Sequence, residues 1–448
     1  MPRPDVLERA VAQKAAELPP RVSKGEHAAD TTADSTSAVR WYRAAAILAL
    51  NTLLIFGALE LLSMGLGELK ELVQGASEES LLVGEGTPRE KISYYLAQDW
   101  APQFWSDFRL SRQKLRYVPY VGWRRPAFDG KTIKIDQDGI RFTPGADCRP
   151  EAYKVFAFGG STMWGTGAPD WGTIPAYLQA GLMKLRSGPV CVVNFSETAY
   201  VSTQGVITLM MQLQAGRVPD LVVFYDGPSD IYAAYQSGRA GVPQNVEQLA
   251  RIFEKRDRQG PFVEWLTHSA SFSMFASVMR RAGITRPVEP LDRSLASAMT
   301  VPELSGAIVD RYVRNHATVS SLADTYRFKA LFFWQPYISI GHKQLTTEER
   351  EIRAEVEADR RHSELIRAVY ARVANEAGRH GNLYDLTSVF DGHDGLVWID
   401  GAHVTPPGNE LLAARMLELA RASLVSVDVP GTTSVSASPA DRRTGIRN

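Results

Sequence analysis

Three residues in this chain have the types and surroundings for nucleophilic acyl chemistry: Ser161, Asp400 and His403. Ser161 follows Lys154-Val-Phe-Ala-Phe-Gly-Gly, which reads as a short buried parallel strand and then a sharp turn. The two glycines let the backbone bend and come close to another group. A serine at a strand-to-helix turn presents its hydroxyl at the carboxyl edge of a sheet, where open α/β folds place their sites. The same turn also reads as a helix cap or phosphate cradle, although it differs from a P-loop and lacks its lysine. Asp400 and His403 share one short stretch, Trp398-Ile-Asp400-Gly-Ala-His403. A carboxylate three residues before an imidazole can fix its tautomer and orientation, and the ring can then accept a proton from a serine.

These residues need a scaffold that brings distant segments to one edge. The chain supplies a β–α alternation, which argues for a parallel sheet with helices on both faces. Strands are expected near 153–158, 190–194, 220–225, 328–334 and 382–386, and helices near 173–186, 203–216, 304–326, 348–378 and 406–423. Asn194 through Ala199 and Asp226 through Asp230 each follow a strand end. With the Ser161 and His403 loops they make four loops converging on one sheet edge, the geometry of an acyl-transfer site.

In that order, Gly-Gly-Ser161-Thr, Asn194 to Ala199, Asp226 to Asp230 and Asp400-x-x-His403 resemble the four blocks of the SGNH (GDSL-type) hydrolase family. The likeness runs from about Tyr153 to Ala420. Tyr117-Val-Pro-Tyr-Val-Gly-Trp123, Gly139-Ile-Arg141 and Trp334-Gln-Pro336 look like a membrane-anchored bacterial branch of it. The resemblance implies a flavodoxin-like three-layer α/β/α fold with a five-stranded parallel sheet. It implies a triad of Ser161, His403 and Asp400, with the oxyanion held by Ser161, Ala199 and Ser229. Two positions depart from the family pattern. The second-block glycine falls on Ala199, which keeps the backbone N–H that the family uses. The third-block asparagine falls on Ser229, whose hydroxyl is shorter than an amide. Trp164, Glu197 and Asp230 are candidate substrate contacts; a surface role is the alternative for Glu197, and Asp226 and Asp230 read alternatively as structural carboxylates that bond loop amides.

Composition narrows the alternatives. The 448 residues suffice for one large α/β domain with extensions, and 50 Lys and Arg balance 50 Asp and Glu. No charge bias points to nucleic acid. Residues 1–40 are polar and aperiodic, as a disordered cytoplasmic tail would be, and 425–448 read as a second disordered tail. Residues 41–67 approach the length of a transmembrane signal anchor; a buried or amphipathic helix is the alternative, since Asn51 and Glu60 are polar. Arg40 and Arg43 precede the segment and Glu60, Glu68 and Glu71 follow, which favours a cytoplasmic N-terminus. The 151–424 domain would then lie outside the cytoplasmic (inner) membrane. Residues 80–150 read as a small β-containing arm, and a helical insertion at 231–303 as a lid or substrate wall.

Two cysteines exclude a disulfide-dense scaffold. Cys148 and Cys191 flank the starts of neighbouring parallel strands, within bridging range, and an oxidising compartment permits a disulfide; two buried thiols are the alternative. His393 and Asp394 lack a matching second cluster, so neither a metal nor a cofactor is expected. His316, His342 and His362 are expected on the surface. The reading is a membrane-anchored esterase or O-acyltransferase acting on an acyl ester, with an acetylated glycan as substrate. The alternative is a catalytically weak relative that binds glycan or serves polysaccharide assembly.

Overall fold

The computed structural model of the chain describes residues 32–74, 89–244, 246 and 299–424. The expected tail at 1–31, the C-terminal tail and most of the 231–303 insertion lie outside the described residues. Thr32–Gln74 forms one long helix, α1. Residues 32–40 are therefore helical, not part of a disordered tail. Within α1, Val39–Glu60 is long and apolar enough to cross a membrane, and none of that stretch is buried.

The second unit begins with an arm of mixed structure. Helix α2 (Ala101–Arg112) is followed by two antiparallel pairs, β1 (Arg116–Val118) with β2 (Gly122–Arg124) and β3 (Phe128–Asp129) with β4 (Lys134–Ile135). The expected β arm is thus partly helical. Pro102 sits in the first turn of α2, where its missing N–H costs nothing. Phe104, Trp105 and Phe108 then fall on one face and are buried. Arg141 bridges to Asn194 and so lays the arm against the edge of the main sheet.

The main sheet takes its strands from apolar runs. Strand β5 (Tyr153–Gly159) leads through α3 (Ser161–Trp164) and α4 (Ile174–Leu185) to β6 (Val190–Asn194). Helix α5 (Ser202–Gln214) returns to β7 (Leu221–Asp226), and α6 (Pro228–Ser237) follows it directly. After α7 (Val301–Tyr326) come β8 (Lys329–Trp334), α8 (Thr347–Glu357), α9 (Arg360–Ala377), β9 (Leu383–Asp385) and α10 (Pro406–Leu424). A single helix was expected over 348–378. Asp359 divides it by accepting a hydrogen bond from His362 N, which makes it the cap of α9.

The five strands are parallel in the order β6-β5-β7-β8-β9, which is a flavodoxin-like arrangement. Side chains alternate between two cores. Val155, Ala157, Val223 and Phe333 meet α4 and α10, whereas Phe156, Phe158, Phe224 and Phe332 meet α5, α7 and α9. On the second face Phe158, Phe224 and Phe332 stack across neighbouring strands at 4.9 and 5.3 Å. The strand order reverses between β5 and β7, and a crevice at the carboxyl ends of those strands is where such folds bind ligands. Ser161 follows β5 and Ser229 follows β7.

At the opposite end of the sheet Cys148 and Cys191 are joined, with Cα atoms 4.8 Å apart. Cys191 pairs with Lys154 across β5 and β6.

Candidate active site

The Gly159-Gly160-Ser161 turn is shaped by close backbone approach. A Cβ on Gly159 would run into the carbonyl oxygen of Tyr225, and one on Gly160 would lie 2.5 Å from Ser229 Oγ and 3.1 Å from Tyr200 O. Only glycine lets β5 end so tightly between the neighbouring loops. Ser161 then opens the single turn of α3. The last carbonyls of that turn lack helical partners and are met by buried side chains. Arg141 donates to Trp164 O, Gly165 O and Ala168 O at 2.7–3.0 Å. Asn194 donates to Met163 O and Trp164 O at 3.3 Å.

Behind the turn, the indole of Trp164 lies between two guanidinium groups, Arg125 at 3.6 Å and Arg141 at 4.3 Å from its ring. Glu197 pairs with Arg125 at 3.3 Å and Asp170 with Arg141 at 2.8 Å. Such paired burial keeps charge tolerable away from water. This layer sets aside three candidate substrate contacts, and for Asp230 it matches the structural alternative. Trp164 and Glu197 have no exposed surface, and Asp230, 4% exposed, accepts from Ser202 N and Oγ. All three are buried parts of the scaffold rather than substrate contacts.

The His403 loop is held from several sides. Glu349 Oε1 accepts from Val397 N and Trp398 N at 2.9 and 3.1 Å, while its other oxygen pairs with Lys343 at 2.7 Å. Ile338 N donates to Gly401 O. Within the loop, Asp400 Oδ1 accepts from the backbone N–H of Ala402 at 2.8 Å and of His403 at 2.7 Å. His403 Nδ1 lies 2.7 Å from Asp400 Oδ2, and its Nε2 lies 2.6 Å from Ser161 Oγ. With the proton on Nδ1, Nε2 is free to accept from the serine.

Sequence reasoning missed two residues that join these pieces. Gln335, buried just after β8, accepts from Thr162 Oγ1 and donates to Ala402 O, both at 2.8 Å. It therefore ties the residue after Ser161 to the residue before His403. Its stretch, Trp334-Gln335-Pro336, stood out only as part of the resemblance. Arg89 Nε lies 2.5 Å from Asp400 Oδ2. Burial alone would raise the Asp400 pKa, but the Arg89 cation and His403 hold the carboxyl well below the usual range.

The expected oxyanion groups sit on three loops around the turn. Among the described residues neither Ser161 N–H nor Ala199 N–H donates to a backbone acceptor. Ala199 has φ 66°, the left-handed conformation a glycine takes without strain. Its turn is pinned by Trp123 Nε1 donating to Thr198 O at 3.1 Å and Arg124 donating to Phe195 O at 2.9 Å. Ser229 Oγ faces the backbone of Gly160 from the first turn of α6. Below it, Asp226 is buried, and its Oδ2 has no partner among the described residues. Burial, then the charge of Asp230, pushes the Asp226 carboxyl far up; burial likewise raises Asp230 to about 6.

His316, expected on the surface, is buried with Nε2 2.8 Å from Asn382 Oδ1. Among the described residues no group of three or more His, Cys, Asp or Glu is placed to hold a metal.

No protein-family model matches the chain, and no curated protein matches it. The solved structures it is similar to include lipolytic proteins of the G-D-S-L family and esterases. TesA is 16% identical, with 61% of this chain and 98% of that one covered at a TM-score of 0.31. A member of the lipolytic protein G-D-S-L family from Veillonella parvula DSM 2008 is 12% identical over 59% and 96%, at 0.31. The acetyl xylan esterase AlAXEase is 14% identical over 59% and 98%, at 0.30. Likeness at this level concerns the fold, and the chemistry is argued from the residues.

Proposed function

We propose that this chain is a serine esterase of the SGNH type, anchored in the cytoplasmic membrane by α1 with its catalytic domain outside. The observation that carries the reading is the continuous contact from Asp400 through His403 to Ser161 at 2.7 and 2.6 Å. Ser161 Oγ attacks the carbonyl carbon of an acyl ester as His403 Nε2 takes its proton. His403 returns that proton to the leaving alkoxide when the carbon–oxygen bond breaks, leaving an acyl-enzyme. Water then attacks the acyl carbon, His403 takes a proton from it, and Ser161 regains its hydrogen as the acid leaves. A sugar hydroxyl in place of water would make the same intermediate an acyl donor.

Asp400 stabilises the imidazolium that forms at each step. The N–H groups of Ser161 and Ala199, with the Ser229 hydroxyl, receive the developing negative charge. Loss of one such donor costs on the order of 3–4 kcal/mol of transition-state stabilisation. An acetylated extracytoplasmic glycan is the proposed substrate class, on the sequence resemblance. Purified protein assayed on a panel of acyl esters and acetylated polysaccharides tests the reading. Release of acetate from a polysaccharide supports it, and inactivity on every ester overturns it.

A further inference from the structure

We infer that Arg89 is a positioning residue for the Asp400–His403 pair, an inference that rests on the serine-esterase reading. Arg89 comes from the arm, 311 residues away from Asp400 along the chain. Its Nε lies 2.5 Å from Asp400 Oδ2, the same oxygen that faces His403 Nδ1 at 2.7 Å. The other oxygen, Oδ1, is taken by the backbone N–H of Ala402 and of His403. Both carboxylate oxygens are therefore fixed, and the carboxylate cannot rotate away from the imidazole without breaking bonds on two sides. The Arg89 and Asp400 side chains are 12% and 22% exposed, so water competes weakly for this contact.

The guanidinium also keeps Asp400 ionised, holding its carboxyl well below the usual range, so that Oδ2 stays an acceptor for His403 Nδ1–H. Among the described residues, the phenols of Tyr95 and Tyr337 also face Asp400. Burial raises the pKa of both, so they remain neutral across the working range. Tyr95 is further occupied by donating to Gly167 O at 2.6 Å.

The test uses the full-length protein in detergent and follows the rate at which an organophosphonate labels Ser161, together with kcat and KM on a small ester. Arg89→Met should slow labelling by about tenfold or more, and lower kcat on a small ester while KM is nearly unchanged. Arg89→Lys keeps the charge but loses the planar fork, so its rate should be only partly restored. An unchanged rate in a folded Arg89→Met variant overturns the inference, and labelling of wild type but not Ser161→Ala would leave the esterase reading standing. A slower rate with no advantage of Lys over Met, or a loss carried by KM alone, also overturns it. If Arg89→Met does not fold, Arg89→Lys decides, because a fully wild-type labelling rate and kcat in that variant contradict the inference. Wild type that takes no label overturns both.

Discussion

Thr162 Oγ1 donates to Gln335 Oε1 at 2.8 Å, which links the Ser161 turn to the end of β8. The same amide donates to Ala402 O, so one buried side chain bridges the residue after Ser161 and the residue before His403. Tyr370 OH donates to the Gln335 carbonyl at 2.8 Å and fixes its backbone in turn.

Gln335→Leu keeps much of the shape but leaves the Thr162 hydroxyl and the Ala402 carbonyl without partners. The unpaired groups should cost about 1–3 kcal/mol of stability, read by denaturant unfolding. The larger effect should fall on kcat, by tenfold or more, with KM for a small ester nearly unchanged. A drop in KM-dependent binding with kcat intact would mean that Gln335 does not set the Ser161–His403 distance.

Ser229 has no hydrogen-bond partner among the described residues and borders the nucleophile turn, so its hydroxyl is available to a developing oxyanion. An amide reaches farther and donates along a fixed direction. Ser229→Asn should raise kcat on an activated ester while KM moves little, since the donor acts on charge that forms in the transition state. A clear loss of kcat in a folded variant would show that the loop is built around serine.

The buried pair Asp226 and Asp230 makes a pH-dependent demand on stability. Their folded pKa values lie above those of free carboxyls, with Asp230 at about 6 and Asp226 raised further in direction. The folded state therefore holds protons that the unfolded chain has released. Stability from these groups is present below about pH 4 and is lost as pH rises through about 6 and beyond. Melting temperature should fall between about pH 5 and 7.5, and Asp226→Asn should raise it by a few degrees at the upper end while flattening the slope. An Asp226→Asn variant that melts lower at neutral pH would contradict this.

The five strands were legible because each is an apolar run long enough to show its period, and the four loops follow their ends. Ser161, Asp400 and His403 were legible because nearby glycines and a three-residue spacing constrain them locally. Trp164 was misread because its burial depends on Arg125 and Arg141, which come from the arm and leave no mark near residue 164. The arm itself reads as β because Thr132 to Asp136 alternates as a strand does, and that run outweighs the aromatic face of α2. Asp359 offered a capping residue, yet the apolar period runs on across it and masked the break between α8 and α9. Arg89 gave no signal, since a single long-range ion pair has neither period nor neighbours in sequence.

Whether Ser161 is an activated nucleophile is read by mass-spectrometric mapping of protein treated with an organophosphonate. One phosphonyl group should appear on Ser161 in wild type, none on Ser161→Ala, and far less on His403→Ala because the serine would then keep its proton. Folded wild-type protein that carries no adduct, or carries it on a residue other than Ser161, would contradict the account.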